Sequence, residues 1–552
     1  MGFRITAIHP RKHPSDDLYL IADLLPRGVI LALPSRISHT VGTRMKSSEN
    51  SLSVWKDTSV QPTFAALQAD TTADVCIIGA GISGLTTAYL LARAGKSVVV
   101  VDRMGIGGGE TGQTTAHLAS EMDDYFYEIE RKHGERGARI AYESHHNAIA
   151  FIERVVQEEG IDCAFRRLDG FLFLGRGETE KMLADEAAAA LRAGFPSVER
   201  LPSLPFDFWR SPACIRFPDQ GEFHPLRYIN GLAKAIVANG GRIYTDTEVV
   251  GHPTGGSPVR IETQSGAIVT ATKALIATNY PISSWLGVVP KLAPYRTYVV
   301  GFEVPSGSIP HGLYWDTEEP YHYVRLSEGP RSGTETLIVG GEDHKTGQAE
   351  DMDARFQALI SWTRERFLPA GEVVYKWSGQ VQEPVDLMAF IGPHPGQENL
   401  YVITGDSGQG MTHGTLGGIL VSDLMLDREN PWLELYDPGR SGLSAPLEMA
   451  KENLNAVSHF KDLLVRQDVG SLVEIAPGEG AVVHEGIIPV AVYRDEAGSV
   501  HRCSAVCTHM GCVVRWNKLE KSWDCPCHGS RFDAFGAVLT GPATKPLHPI
   551  EK

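Results

Sequence analysis

The apolar strand Val75-Cys76-Ile77-Ile78 runs directly into Gly79-x-Gly81-x-x-Gly84, which opens a helix with apolar Leu85, Ala88, Tyr89 and Leu91. A second strand, Lys96 to Val101, ends at Asp102, 23 residues after Gly79. Strand, tight turn, helix and strand in this order close into a βαβ unit. Glycine at 79 permits the turn, at 81 lets backbone amides approach a pyrophosphate, and at 84 lets the helix pack closely on the strand. The helix N-terminus favours an anion, and Asp102 can accept ribose hydroxyl protons. A Rossmann-like dinucleotide unit is expected, with FAD and NAD both open at this point.

Three further segments bear on that choice. Gly105 to Thr115 is a glycine- and hydroxyl-rich loop suited to a diphosphate and a flavin face. Ala274 to Asn279 reads as a strand entering a polar turn, and Tyr401 to Met411 as a strand entering a polar, glycine-rich turn. After the second, a helix would aim its positive end at the negative charge of a reduced flavin. With His224-Pro225-Leu226-Arg227-Tyr228 and Thr247-Glu248-Val249-Val250, residues 73 to 430 resemble the FAD-dependent amine and amino-acid oxidoreductases of the D-amino-acid oxidase or glycine oxidase type. The resemblance implies an α/β fold, a Rossmann-like FAD-binding domain with an inserted antiparallel-sheet substrate domain. It also implies FAD contacts at Gly79, Gly81, Gly84, Asp102, Arg103, Thr114, Thr115, Val249, Gly405, Gly410 and Met411.

Five of the eight cysteines (Cys503, Cys507, Cys512, Cys525 and Cys527) fall within 25 consecutive residues, where even spreading would place fewer than one. Cys76, Cys163 and Cys214 are isolated and read as inert core thiols. Cys507-Thr508-His509-Met510-Gly511-Cys512 and Cys525-Pro526-Cys527-His528-Gly529-Ser530 are paired boxes in a stretch of short alternating strands. Two cysteines with two histidines could also hold tetrahedral zinc. The pairing of the boxes resembles the Rieske [2Fe-2S] domain, a small all-β module. The resemblance implies metal ligands Cys507, His509, Cys525 and His528, with Cys512 and Cys527 joined in a disulfide bond. It also implies a cluster-facing Ser530 and a covering loop at Gly541-Pro542-Ala543. Phe532 stands where the high-potential members carry tyrosine; the loss of that hydrogen bond predicts a lower potential. Cys503 is not at a ligand position and reads as a packing thiol.

The 51 Lys and Arg against 67 Asp and Glu leave a net charge of −16, so nucleic acid is a poor partner. No apolar run approaches the roughly 20 residues that cross a bilayer, and no secretory signal is evident, so no transmembrane segment and a cytoplasmic location are expected. Residues 1–44 read as a poorly defined extension, 45–435 as the oxidoreductase domain, 436–467 as a linker helix and 468–552 as the Rieske domain.

The combined reading is an oxidoreductase enzyme. It oxidises a small amine or amino-acid-like substrate at FAD and passes electrons through the cluster to an external acceptor, protein or quinone. The alternative is an NAD(P)H-linked electron-transfer reductase serving a partner oxygenase, which lacks support because no second strand–GxGxxG–helix unit is present. A self-contained oxygenase would need a mononuclear iron domain after the cluster, and 24 residues follow His528. Candidate catalytic residues are Arg296, to meet a substrate carboxylate, Tyr323 and Arg325 within an aromatic-rich segment, and His344 within Glu342-Asp343-His344. A covalent flavin link at His117 is weighed and set aside in favour of an ordinary histidine.

Overall fold

The computed structural model describes residues 47–283, 287–440, 468–469 and 472–550. Thr71–Ile78 and Val98–Val101 pair in parallel, Ile78 opposite Val101, at the centre of a seven-stranded sheet. All four valines of the second strand are fully buried, as expected for a parallel strand covered on both faces. Ile268–Ile276 lies on the other side of Thr71–Ile78, also parallel, followed by Leu400–Thr404. The helices Ile82–Arg93 and Gly410–Met425 pack against each other. Both start at the ends of central strands, so their N-termini converge on one edge of the sheet.

The inserted domain is a nine-stranded sheet whose longest members are Leu292–Pro305, Thr334–Lys345 and Val373–Pro384. Its pairings are antiparallel except for Leu313–Asp316 against Arg166–Phe173. The C-terminal module comprises a three-stranded sheet from Glu479–Glu485 to Val500–Ser504 and a four-stranded one from Arg515–Asn517 to Val538–Thr540.

Leu472–Glu474 forms a short 3-10 turn ahead of the first strand of the C-terminal module. The strand Arg242–Tyr244 stops where Asp246 turns the chain with φ +47°. Residues 441–467 of the linker helix expected over 436–467 lie outside the described residues. Cys76, Cys163, Cys214 and Cys503 are buried free thiols, each pushed up to about 12 by burial.

Candidate active site and metal centre

Gly79 adopts φ +114°, and a Cβ there would overlap the Ala277 carbonyl. A Cβ at Gly84 would overlap the Gly79 carbonyl, so the glycine spacing lets the turn, the helix and the neighbouring strand meet. Gly81, the N-cap of Ile82–Arg93, has no side chain to satisfy the first helical amides. The Ile82 N–H donates to Thr111 Oγ1 at 3.1 Å, and Gly81, Ile82 and Ser83 face a large cavity. Asp102 lines it too, but its oxygens also accept the Ala80 and Met104 N–H groups, both at 2.7 Å, so this carboxylate braces the turn. Burial raises its pKa, opposed by those two hydrogen bonds.

Arg103, Thr114, Thr115, Val249, Gly410 and Met411 all line the same cavity. Gly84 and Gly405 do not; Gly84 packs the helix, and Gly405 (φ +71°) turns the chain against Leu292 and Pro384. Gly408 to Met411 bring the uncapped N-terminus of Gly410–Met425 to the cavity wall. Two helix N-termini without side-chain caps, facing one cavity beside a clash-limited glycine turn, fit a dinucleotide carrying a pyrophosphate and a flavin.

Of the catalytic candidates, Tyr323 alone lines this cavity, and strand parity explains why Arg296 and His344 do not. Thr297 and Val299 face the cavity, so Arg296 and Tyr298 point to the other side of the sheet. There Tyr298 Oη meets His344 Nε2 at 2.9 Å, while the His344 Nδ1 partner is the Lys345 carbonyl at 2.7 Å. Burial drops His344 to about 4. The cavity-facing member of Glu342-Asp343-His344 is Asp343. Arg325 is buried and donates to the carbonyls of Ala116 (2.5 Å), Phe223 (3.2 Å) and Thr115 (3.3 Å), so it buttresses the loop behind the wall. His117 lines the cavity, touches Thr115 Oγ1 through Nδ1 at 3.1 Å, and is held neutral, at about 3, by burial and Arg325.

The sequence reading missed the carboxylates Glu121 and Asp123, which line the wall beside Trp315 and Tyr321. Tyr321 Oη lies 3.4 Å from Asp123 Oδ2 and 3.5 Å from Asp343 Oδ2, and Thr297 Oγ1 meets Tyr323 Oη at 2.7 Å. Burial lifts Asp123 to about 6 and Asp343 to about 7. Burial together with the Glu186 and Asp123 charges pushes Glu121 well above the carboxylate range.

In the C-terminal module the two boxes fold alike. The N–H of Cys507 donates to Cys512 O (2.8 Å) and that of Gly511 to Cys507 O (3.0 Å). The N–H of Cys525 donates to Ser530 O (2.8 Å) and that of Gly529 to Cys525 O (3.1 Å). Cys512 and Cys527 form a disulfide, Cα atoms 6.4 Å apart, that ties the two turns together. Cys507 and Cys525 remain free and buried. The His509 and His528 rings lie 5.0 Å apart at 88°, and the buried Nδ1 of each lacks a hydrogen-bond partner. Two free thiols and two orphaned imidazole nitrogens on twinned turns fit a cluster held by two Cys and two His. Ser530 Oγ accepts the Ala543 N–H at 3.0 Å, fastening the 541–543 loop to the second box.

The two halves meet at this box. Gln380, on the cavity wall, donates from Nε2 to the Gly529 carbonyl at 3.0 Å, and Gln348 Nε2 donates to Pro526 O at 3.0 Å. Val538 to Gly541, Ala543 and Thr544 line the cavity, where Arg103 Nη1 donates to Val538 O at 3.2 Å. Behind the box lies a buried ionic cluster. Glu49 sits between Arg296 (3.3 Å) and Arg531, and Asp524 Oδ1 accepts from Arg531 Nε at 3.0 Å. Glu520 accepts the N–H groups of Asn50 (2.6 Å) and Ser51 (2.8 Å) and the Ser378 hydroxyl (2.6 Å). Arg296 is therefore an interdomain ion-pair residue, and its guanidinium does not reach the cavity.

Residues 74–424 match the family model "FAD dependent oxidoreductase", and residues 466–551 match "Rieske [2Fe-2S] domain". The chain is 34% identical over 503 residues to YhfW of Bacillus subtilis, named for a Rieske 2Fe-2S iron-sulfur protein, covering 90% of this chain and 97% of the relative. It is 28% identical to gamma-glutamylputrescine oxidoreductase of Escherichia coli, over 66% of this chain and 85% of that one. Glycine oxidase from Geobacillus kaustophilus shares the fold, with a TM-score of 0.55 and 19% identity over 67% of this chain and 99% of that one. No helix among the described residues is long and apolar enough to cross a membrane. The chain belongs to the FAD-dependent oxidoreductase family of the amino-acid oxidase type and carries a Rieske domain, and so is an enzyme whose cofactors are FAD and a [2Fe-2S] cluster.

Proposed function

We propose that the enzyme is a dehydrogenase for a small amine or amino-acid-like substrate, passing substrate electrons from FAD through the Rieske cluster to an external acceptor, protein or quinone, in the cytoplasm. The observation that carries this reading is Gln380, one side chain that both lines the cavity and holds the backbone of the second cysteine–histidine box. FAD accepts two electrons with a hydride, and a Rieske cluster passes electrons one at a time.

The residues around these groups have separable tasks. Gly79, Gly81 and the helix N-terminus at Ile82 cradle the pyrophosphate, and Gly410 and Met411 present a positive helix end to the flavin. Val249 and Arg103 flank the adenosine end, while Thr114 and Thr115 form the wall that Arg325 fixes from behind. Cys507, His509, Cys525 and His528 hold the cluster. Tyr321, hydrogen-bonded toward Asp123 Oδ2 and Asp343 Oδ2, holds two carboxyl groups raised to about 6 and about 7, which would receive a proton from a substrate N–H. The boundaries that go with this reading are 45–435 for the oxidoreductase part and 468–552 for the Rieske part. Glu49 and Ser51, in the first part, bind the second.

Anaerobic mixing with NADH, then with a panel of amines and amino acids, tests the reading through flavin bleaching. Bleaching by an amine or amino acid is expected. Bleaching by NADH alone would convert the protein into the NAD(P)H-linked reductase.

A further inference from the structure

Oxidation of an α-amino acid requires a cation for its carboxylate, and two arginines stand near enough in sequence to the substrate sheet to supply one. Both are committed elsewhere. Arg296 is 1% exposed and paired with Glu49, and Arg325 is spent on four backbone carbonyls beside Glu222. Among the described residues, Arg103 is the one Lys or Arg on the cavity wall, and it lies beside the nucleotide turn, bonded to Val538.

The sheet-facing part of the cavity is acidic instead. Glu121 and Asp123 arrive from one segment and Asp343 from another, and they share a wall with Trp315, Tyr321 and Tyr323. Glu121 is 3% exposed with the Trp315 side chain as a donor toward its carboxyl, while its Oε1 and the buried Oδ1 of Asp343 close no hydrogen bond. Buried carboxylate oxygens without a donor are costly unless a cation or a donor completes them. Trp315, Tyr321 and Tyr323 supply aromatic surface that attracts a cation and shields an alkyl chain. A carboxylate placed among these groups would hold them protonated and gain no counter-charge, whereas a cation favours their ionised forms.

We infer that this part of the cavity binds a cationic amine bearing no carboxylate on its reacting carbon, with Glu121, Asp123 and Asp343 meeting its positive charge. The assignment rests on the proposed function and narrows its substrate class. Putrescine and alaninamide satisfy it, whereas alanine, with the same skeleton as alaninamide, does not.

Two experiments on the holoenzyme test it. In the first, alaninamide, alanine and putrescine are compared as anaerobic reductants of the flavin. Reduction by alaninamide or putrescine at least tenfold more efficient than by alanine is expected; equal or better reduction by alanine overturns the assignment. In the second, tetramethylammonium and propionate, which carry no oxidisable C–H beside an amine N–H, are titrated into oxidised enzyme and read by the shift of the flavin absorption band. Tetramethylammonium is expected to bind, to weaken at least tenfold in Asp343→Asn and in Glu121→Gln, and to outcompete propionate. Tighter propionate binding, or affinity for tetramethylammonium unchanged in both variants, overturns it. If NADH alone bleaches the flavin, the proposed function falls, while the titration still decides the charge preference of the cavity.

Discussion

Asp343 is held protonated more readily than a free aspartate, its pKa lifted to about 7 by burial, with Asp123 and Glu319 adding to the rise and Thr297 and Tyr321 opposing it. Asp123, lifted to about 6 by burial and opposed by Tyr321, behaves the same way, beside Asp124, which is raised by burial and by Asp123 and lowered by Lys132. For such groups the folded state binds more protons than the unfolded chain. Their contribution to stability therefore falls as pH rises from about 4, the unfolded value, through the folded pKa values near 6 and 7. A bound cation offsets that loss. The melting temperature gain from tetramethylammonium should then be larger at pH 8 than at pH 5.5. Asp343→Asn should stabilise the free enzyme more at pH 8 than at pH 5.5, by a difference of about 1 kcal/mol or more. A thermal melt of wild type and variant at both pH values checks the sign. Amine affinity should rise across the same window, because ionised carboxylates meet the cation.

At the scale of elements, the segment Ser48–Ser51 acts as a strap between the two halves. Against the cost of burial, Arg531 and Arg296 hold the carboxyls of Asp524 and Glu520 below their ordinary range. Removing the central acid leaves two buried guanidiniums short of a partner, so Glu49→Ala should cost about 3–5 kcal/mol, seen as an early unfolding step in a denaturant melt. Gln380→Leu removes the bond to Gly529 while preserving volume. It should leave flavin reduction by substrate intact and slow subsequent cluster reduction by roughly tenfold or more, because a small displacement of the box changes the reacting geometry.

These elements also show what the sequence could disclose. The glycine turn was legible because its demands are local, as were the two boxes, each closed by bonds four or five residues apart. The strap was not: Glu49 meets Arg296 across 247 residues and Arg531 across 482. Nor was the acidic wall, since residues 121–123, 321–323 and 343 become neighbours only through the sheet. Arg296 and His344 stand one residue from the cavity-lining Thr297 and Asp343, an offset within a period of two that pattern alone does not resolve when both faces of a strand are buried.

At the scale of the whole molecule, the cavity wall is completed by both domains, and the cysteine–histidine box is fastened to the oxidoreductase part by Gln348, Gln380 and the ionic cluster. Under the proposed function, a fixed junction of this kind would make electron passage an internal event, independent of encounters between molecules. The most direct measurement is anaerobic rapid mixing of holoenzyme with putrescine or alaninamide, with visible absorption following the flavin and freeze-quenched EPR following the cluster. The account predicts flavin bleaching followed by the reduced-cluster signal at a rate unchanged by dilution of the enzyme. In Cys507→Ser the flavin should be reduced and the cluster signal should not appear. A cluster that stays oxidised beside a reduced flavin in the wild type, or a rate that scales with enzyme concentration, would contradict it.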